Sequence, residues 1–302
     1  MTDLAAKALE AGKAWGGFAT QPRLIAEREN AVFDVTLHDG RRAALRLHRP
    51  GYQSGASIWS ELAWIAELAK RGFPCPTPIE TEFEASLVSF GSGHKASLVT
   101  WIDATPLADL DDATCMAQME NLGALIRQMH DATDQIETAH FKRPNWDAEA
   151  LLGADPHWGR FWENPSLDAT EVKTLLAARD EAARQLAGLA SLETGLIHAD
   201  LLRENILLNA QGLHIIDFDD SGFGFRLYDL GTALVQYASH PQLAAFTAKL
   251  CKGYGCDPSL MPLFISLRAF ASCGWVINRL PTDDPRQRLY ADRALHCSAL
   301  QT

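Results

Sequence analysis

"GLIHADLLRENILLNAQGLHIIDFDDSG", residues 195–222, sets His198, Asp200, Asn205, Asp217, Asp219 and Asp220 among short runs of Leu and Ile. Apolar runs of this length, broken by polar residues, read as short strands joined by tight connections. They are expected in "LIH", "NILL" and "HIIDF". Asp200 and Asn205 then flank a turn between two strands, and Asp217, twelve residues after Asn205, ends the third. A hairpin of that length brings the turn and the strand end to one edge, which sets an Asp, an amide and a second Asp around one pocket. A hard cation such as magnesium takes a few oxygen ligands of this kind and completes its octahedron with phosphates and water. The remaining Asp can orient a hydroxyl and accept its proton, so the parts are those of a phosphoryl-transfer site. Asp and Asn also favour turns by bonding their own backbone, but the ordered spacing and flanking strands favour the chemical reading. His198 reads as a buried structural histidine. Asp219 reads either as a metal or substrate ligand or as a solvated edge carboxylate, and Asp220 as solvated.

The rest of the chain bounds this reading. Its 302 residues suffice for one large or two ordinary domains with real cores. A formal charge of -11 argues against a nucleic-acid partner held by a basic surface and mildly favours cationic small ligands. The six cysteines are scattered without a CxxC pair, so neither a zinc site nor a disulfide framework is indicated. "MTDLAAKALEAGKAWGG" lacks the pattern of a signal peptide. The apolar segment Leu260 to Ile277, interrupted by Pro262 and Arg268, reads as a core helix and not a membrane span. A cytoplasmic location is expected.

Along the chain, an opening helix precedes strands over 22–48, with Asp39-Gly40 suited to a tight hairpin turn. Ile58, Leu62, Ile65 and Leu68 recur at helical spacing over 54–70, with Glu61 among them. Strands are expected at 79–90 and 95–102, then helices at 113–131 and 168–190. An irregular, Trp- and Pro-rich insertion at 139–165 lies between those two helices, and helices fill 227–300. Met116, Met119 and Met129 read as core packing. The layout is α+β: a small β-rich lobe over 1–101, a hinge near Thr100–Ala104, and a larger, mainly helical lobe over 102–302.

"HADLLRENIL", followed by "IIDFD", resembles the catalytic and metal-binding segments of the aminoglycoside phosphotransferase and choline kinase-like family, relatives of protein kinases with H-x-D-x-x-x-x-N and then a strand ending I-D-F. The resemblance implies a bilobal protein-kinase-like fold and an ATP-dependent kinase. It makes Asp200 the catalytic base, Asn205 and Asp217 the magnesium ligands, and His198 a structural residue. "YDLGTAL" resembles the following helix, where Asp229 would brace the catalytic loop, and "LGALIRQMH", ending at His130, the helix ahead of the insertion. "LRLHRP" stands at the strand that in kinases holds the phosphate-binding lysine, here Arg46, with Glu61 on the next helix as its partner. Asn30, Thr100 and Ile102 fall at the covering loop and hinge that contact nucleotide. The loop "AERENAVFDV" has no glycine, a departure from the Gly-rich kind. "ENAVF", "LRLHRP" and "DFDD" most resemble a bacterial stress-response Ser/Thr kinase.

The acceptor stays open: a small-molecule hydroxyl (amino alcohol, hydroxy amino acid or sugar) or a protein Ser/Thr uses the same chemistry. Trp158 and Trp162 of the insertion read equally as an aromatic cover over the substrate and as core. "IIDFDDS" also fits the D-x-D-x-[ST] nucleophile of haloacid dehalogenase-like phosphatases, but that motif normally opens an α/β domain, and "HADLLREN" would go unexplained. Arg46 and the glycine-free loop motivate a third reading, a kinase-like scaffold that binds nucleotide and transfers nothing.

Overall fold

The computed structural model describes residues 2–27, 30–189 and 191–301. Arg28 and Glu29, in the middle of the glycine-free loop, lie outside the described residues, as does Ala190 at the expected end of the second long helix. The chain divides into two units. Unit 1 contains Met1–Ala104, Ile136–Arg143 and His214–Asp219, and unit 2 contains Thr105–Gln135, Pro144–Leu213 and Asp220–Thr302.

Unit 1 is built on five antiparallel strands, β1 (Arg23–Glu27), β2 (Asn30–Thr36), β3 (Arg42–His48), β4 (Leu87–Phe90) and β5 (His94–Thr100), in the order β1-β2-β3-β5-β4. Alternation decides the faces. Phe33, Val35, Ala43, Leu45, Leu47, Ala96 and Leu98 point to one side and form a core with Ala8 and Ala11 of α1 (Thr2–Gly12). Arg46 therefore points to the opposite side. The β2–β3 turn differs from the expected Asp39-Gly40 pair of positive φ angles. Leu37 N–H donates to Arg41 O, Gly40 N–H donates to Leu37 O, and Gly40 is the residue with φ of 87°. This is a three-residue loop with glycine at its left-handed position. Helix α2 (Gly55–Lys70) starts at Ser54, whose side chain accepts from Ser57 N–H, and buries Ile58, Leu62, Ile65 and Leu68. The same face carries Glu61, which is 1% exposed.

Unit 2 is mainly helical: α3 (Asp112–Thr133), α4 (Ala148–Leu152), α5 (Ala169–Gly188), α6 (Arg226–Val235), α7 (Leu243–Tyr254), α8 (Met261–Ile277) and α9 (Pro285–Ser298). Every residue of α6 is buried. The stretch Pro258–Ile277 is long and apolar enough to cross a membrane, but 78% of its most apolar window is buried inside the protein. It is a core helix, as its composition suggests.

Two small sheets carry the decisive stretch. One orders β10 (Gly212–Ile215), β9 (Ile206–Asn209) and β6 (Thr105–Pro106). The other orders β7 (Asn145–Trp146), β11 (Gly222–Phe225) and β8 (Thr194–Ile197). The expected strands exist, but two end early: β8 stops before His198, and β10 stops at Ile215, before Asp217. The sequence reading missed β7 and β11. They are short, and Gly222 and Gly224 leave β11 without the side chains that mark a strand. Those glycines are required because a Cβ at either would strike Trp146.

Candidate active site

In unit 1, β3 and α2 bring the expected pair together. Arg46 Nη1 donates to Glu61 Oε1 at 2.6 Å, and Nη2 reaches Asp217 Oδ1 at 3.3 Å. Asp219 Oδ1 lies 3.8 Å from Nη1. A forked guanidinium can serve several carboxylates at once where an ammonium offers a point charge. Burial opposes the charge of Arg46, but Glu61, Asp217 and Asp219 outweigh it and raise the pKa further.

Asp217 adopts φ of 63°, a left-handed conformation that Asp tolerates better than most residues. Its side chain is 49% exposed and so remains open to ligands, whereas Asp219 is buried. Asn30 Nδ2 donates to Asp219 Oδ2 at 3.2 Å, and Asn30 Oδ1 accepts from Arg49 N–H. This overturns the solvated-edge alternative for Asp219: it belongs to the Arg46 cluster. Arg143, absent from the sequence-based candidates, donates to Ser57 O and Oγ at 3.0 Å and to the carbonyls of Phe218 and Asp219. It pins the turn after Asp217 to the start of α2. Thr100 ends β5, where its hydroxyl accepts from Thr77 N–H, and Ile102 follows as half-buried chain.

In unit 2, the loop after β8 is held from below by α6. Asp229 Oδ1 accepts Ala199 N–H at 2.7 Å, and Oδ2 accepts His198 N–H at 3.0 Å. His130 Nε2 lies 3.0 Å from the same Oδ2, and His130 Nδ1 lies 3.0 Å from Tyr254 Oη. Ala199 is fully buried with φ of 65°. A left-handed alanine costs on the order of 1–2 kcal/mol, which charge-assisted bonds to Asp229 offset. His198 is fully buried and its Nδ1 accepts Asp200 N–H, a structural role as expected.

The result is that Asp200 projects from a fixed backbone. Asn205, at the end of a 3-10 turn (Arg203–Asn205), donates its Nδ2 to Asp200 O and to Asp200 Oδ2, both at 2.8 Å. Its amide oxygen is left as an acceptor. Arg268 Nη2 donates to Asp200 Oδ1 at 2.6 Å, and the Asp200 side chain is still 19% exposed.

The insertion splits its roles. Trp158 is buried, packs edge-on to Trp146 at 4.8 Å, and lies 4.8 Å from the Arg268 guanidinium. Trp162 is half-buried between Phe161 and Arg179. Asp220, expected to be solvated, is half-buried, with its carbonyl accepting from Trp146 Nε1. Met119 and Met129 are fully buried core residues, and Met116 is half-buried.

The sequence profile of the phosphotransferase enzyme family (APH) matches residues 21–264. The chain belongs to that family. It is similar to the amicoumacin kinase of Bacillus subtilis (strain 168), with 23% identity over 273 residues, 85% of this chain and 78% of the kinase. Among solved structures, a microcompartment-associated aminopropanol kinase superposes with a TM-score of 0.85 at 26% identity, covering 100% of this chain and 96% of that one. The amicoumacin kinase hAmiN, solved with AMP-PNP, Ca2+ and Ami, shares the fold at a TM-score of 0.77 and 19% identity, covering 99% and 92%. The chain is thus an APH phosphotransferase with the α+β, protein-kinase-like fold that its motifs imply. The phosphatase and non-enzymatic alternatives give way to that membership.

Nucleotide use with a divalent cation fits the family, whose relative hAmiN is solved with AMP-PNP and Ca2+. The Asp217 carboxylate, in unit 1, and the Asn205 amide oxygen, in unit 2, are each a hard oxygen donor of the kind such a cation takes. Among the described residues no group of three or more His, Cys, Asp or Glu side chains could hold a metal ion. Sequence reasoning saw Arg268 only as an interruption of an apolar helix. A buried charge in such a helix was the available signal, because it demands a partner.

Proposed function

We propose that this APH phosphotransferase moves the γ-phosphate of ATP to a hydroxyl of a small molecule. Amino alcohols are the first class, with hydroxy amino acids and sugars beside them. The observation that carries this reading is Asp200, a partly exposed carboxylate with both oxygens oriented, on a backbone braced by Asp229. A fixed carboxylate within reach of an acceptor hydroxyl suits general-base work. Asn205 and Asp217 are the proposed magnesium ligands. Magnesium bound with ATP neutralises phosphate charge. Arg46, steered by Glu61, is the proposed phosphate-binding cation. Asn30, Thr100 and Ile102 belong to the proposed nucleotide site in the 1–101 lobe, and 102–302 to catalysis and acceptor binding. Asp219 is a proposed ligand through its place beside Arg46, and Trp158 and Trp162 line the acceptor side on this reading. The reaction draws on a cytoplasmic ATP pool. The similarity to an aminopropanol kinase over the whole chain supports the amino alcohol class.

A protein Ser/Thr acceptor is the second reading, favoured by "ENAVF", "LRLHRP" and "DFDD". The test is γ-phosphate transfer from ATP, with and without magnesium, to aminopropanol, ethanolamine, homoserine, aminoglycosides and a Ser/Thr-rich protein such as casein. Magnesium-dependent transfer to an amino alcohol well above hydrolysis supports the proposal. Transfer to casein alone would replace it with the second reading.

A further inference from the structure

Arg268 comes from α8, 68 residues beyond Asp200, and its side chain is 4% exposed. Burying a guanidinium costs several kcal/mol unless it is well paired, so its position needs a reason. Two contacts supply one. Its Nη2 holds Asp200 Oδ1 at 2.6 Å, while Asn205 Nδ2 holds Oδ2 at 2.8 Å. Its other face lies 4.8 Å from the Trp158 ring. That ring is seated by a backbone contact: a Cβ on Gly274 of α8 would overlap Gly159 O. The two grips hold one carboxylate oxygen each, and the side chain is still 19% exposed. They remove the rotational freedom that a base on a turn would otherwise have.

We propose that Arg268 is a positioning residue for phosphoryl transfer: it locks the Asp200 carboxylate through Oδ1, opposite Asn205 at Oδ2, and acts on the reaction through Asp200. Trp158 keeps Arg268 in place. This rests on Asp200 being the base. A misplacement of about 1 Å can cost about 100-fold in rate, so the effect belongs in kcat and not in ATP binding.

The experiment compares the parent with Arg268→Gln, Arg268→Lys, Asp200→Asn and the Asp200→Asn/Arg268→Gln double variant. ATP and aminopropanol are the substrates, or the fastest acceptor of the screen above. Arg268→Gln should lower kcat about 10- to 100-fold and leave the KM for ATP within about twofold of the parent. Arg268→Lys keeps the charge without the fork and should recover part of the loss. In the Asp200→Asn background, Arg268→Gln should cost nothing further, because its target has already been disabled. Parent-like kcat for Arg268→Gln overturns the proposal, as do losses that multiply in the double variant, or a rise in the KM for ATP equal to the fall in kcat. Should Arg268→Gln fail to fold, Arg268→Lys decides by the same kcat and KM criteria. Asp200→Asn with parent turnover sinks the underlying reading, whereas an impaired Asp200→Asn beside a parent-like Arg268→Gln sinks this proposal alone.

Discussion

Arg46 illustrates how much one side chain carries. Its guanidinium touches Glu61 at 2.6 Å and Asp217 at 3.3 Å, and its charge is sustained by three carboxylates. On the proposed reading the loop "AERENAVFDV" covers the nucleotide, and without glycine it lets fewer backbone N–H groups approach phosphates closely. The forked donor then matters more than a point charge would. Arg46→Ala should weaken ATP binding and turnover, Arg46→Lys should keep only part of both, and Glu61→Ala should act in the same direction. Nucleotide affinity and single-turnover rate for the three variants check this. A lysine variant well above the parent would mark Arg46 as a weakened site, and an unchanged alanine variant would remove it from nucleotide binding. The Asp200–Asn205 turn was legible from its local spacing, and the Arg46–Glu61 pair and the Asp229 brace from the resemblance of their motifs to the family's. Arg268 and Arg143 were not. Their partners lie 68 and at least 75 residues away, and no periodicity encodes such a pairing.

At the level of elements, the helices were legible from apolar spacing, and the structure adds the caps that start them, Ser54 before α2 and the Asp168/Glu171 capping box of α5. Strands β7 and β11 were hidden by their length and glycines. The close approach of α3 to α7 was also hidden. A Cβ on Gly123 would overlap the Leu250 carbonyl oxygen, and one on Gly253 the Glu120 carbonyl oxygen. These helices carry His130 and Tyr254, whose 3.0 Å contact backs the His130–Asp229 bond under the loop that holds Asp200. Helix propensity alone favours alanine over glycine by about 1 kcal/mol. Here the overlap is with backbone, so Gly123→Ala should instead destabilise by roughly 1–3 kcal/mol. Thermal or urea unfolding gives the sign. A stabilised variant would show that the two helices can part without cost.

For the molecule as a whole, the residues of the proposed function fall in both units: Arg46, Glu61 and Asp217 in unit 1, and Asp200 and Asn205 in unit 2. The family match over 21–264 spans both. Composition bounded this scale only loosely, and the ordered motifs did the rest, since H-x-D-x-x-x-x-N, I-D-F and the strand arginine occur in one sequence order. The central claim is that Asp200 is the base of an ATP-dependent transfer. It is tested most directly by single-turnover transfer from ATP with magnesium, in the parent and in Asp200→Asn, alongside ATP affinity by calorimetry. The account predicts a rate lower by about 10²- to 10⁴-fold with ATP affinity within about twofold of the parent. An Asp200→Asn enzyme that turns over at the parent rate would contradict it.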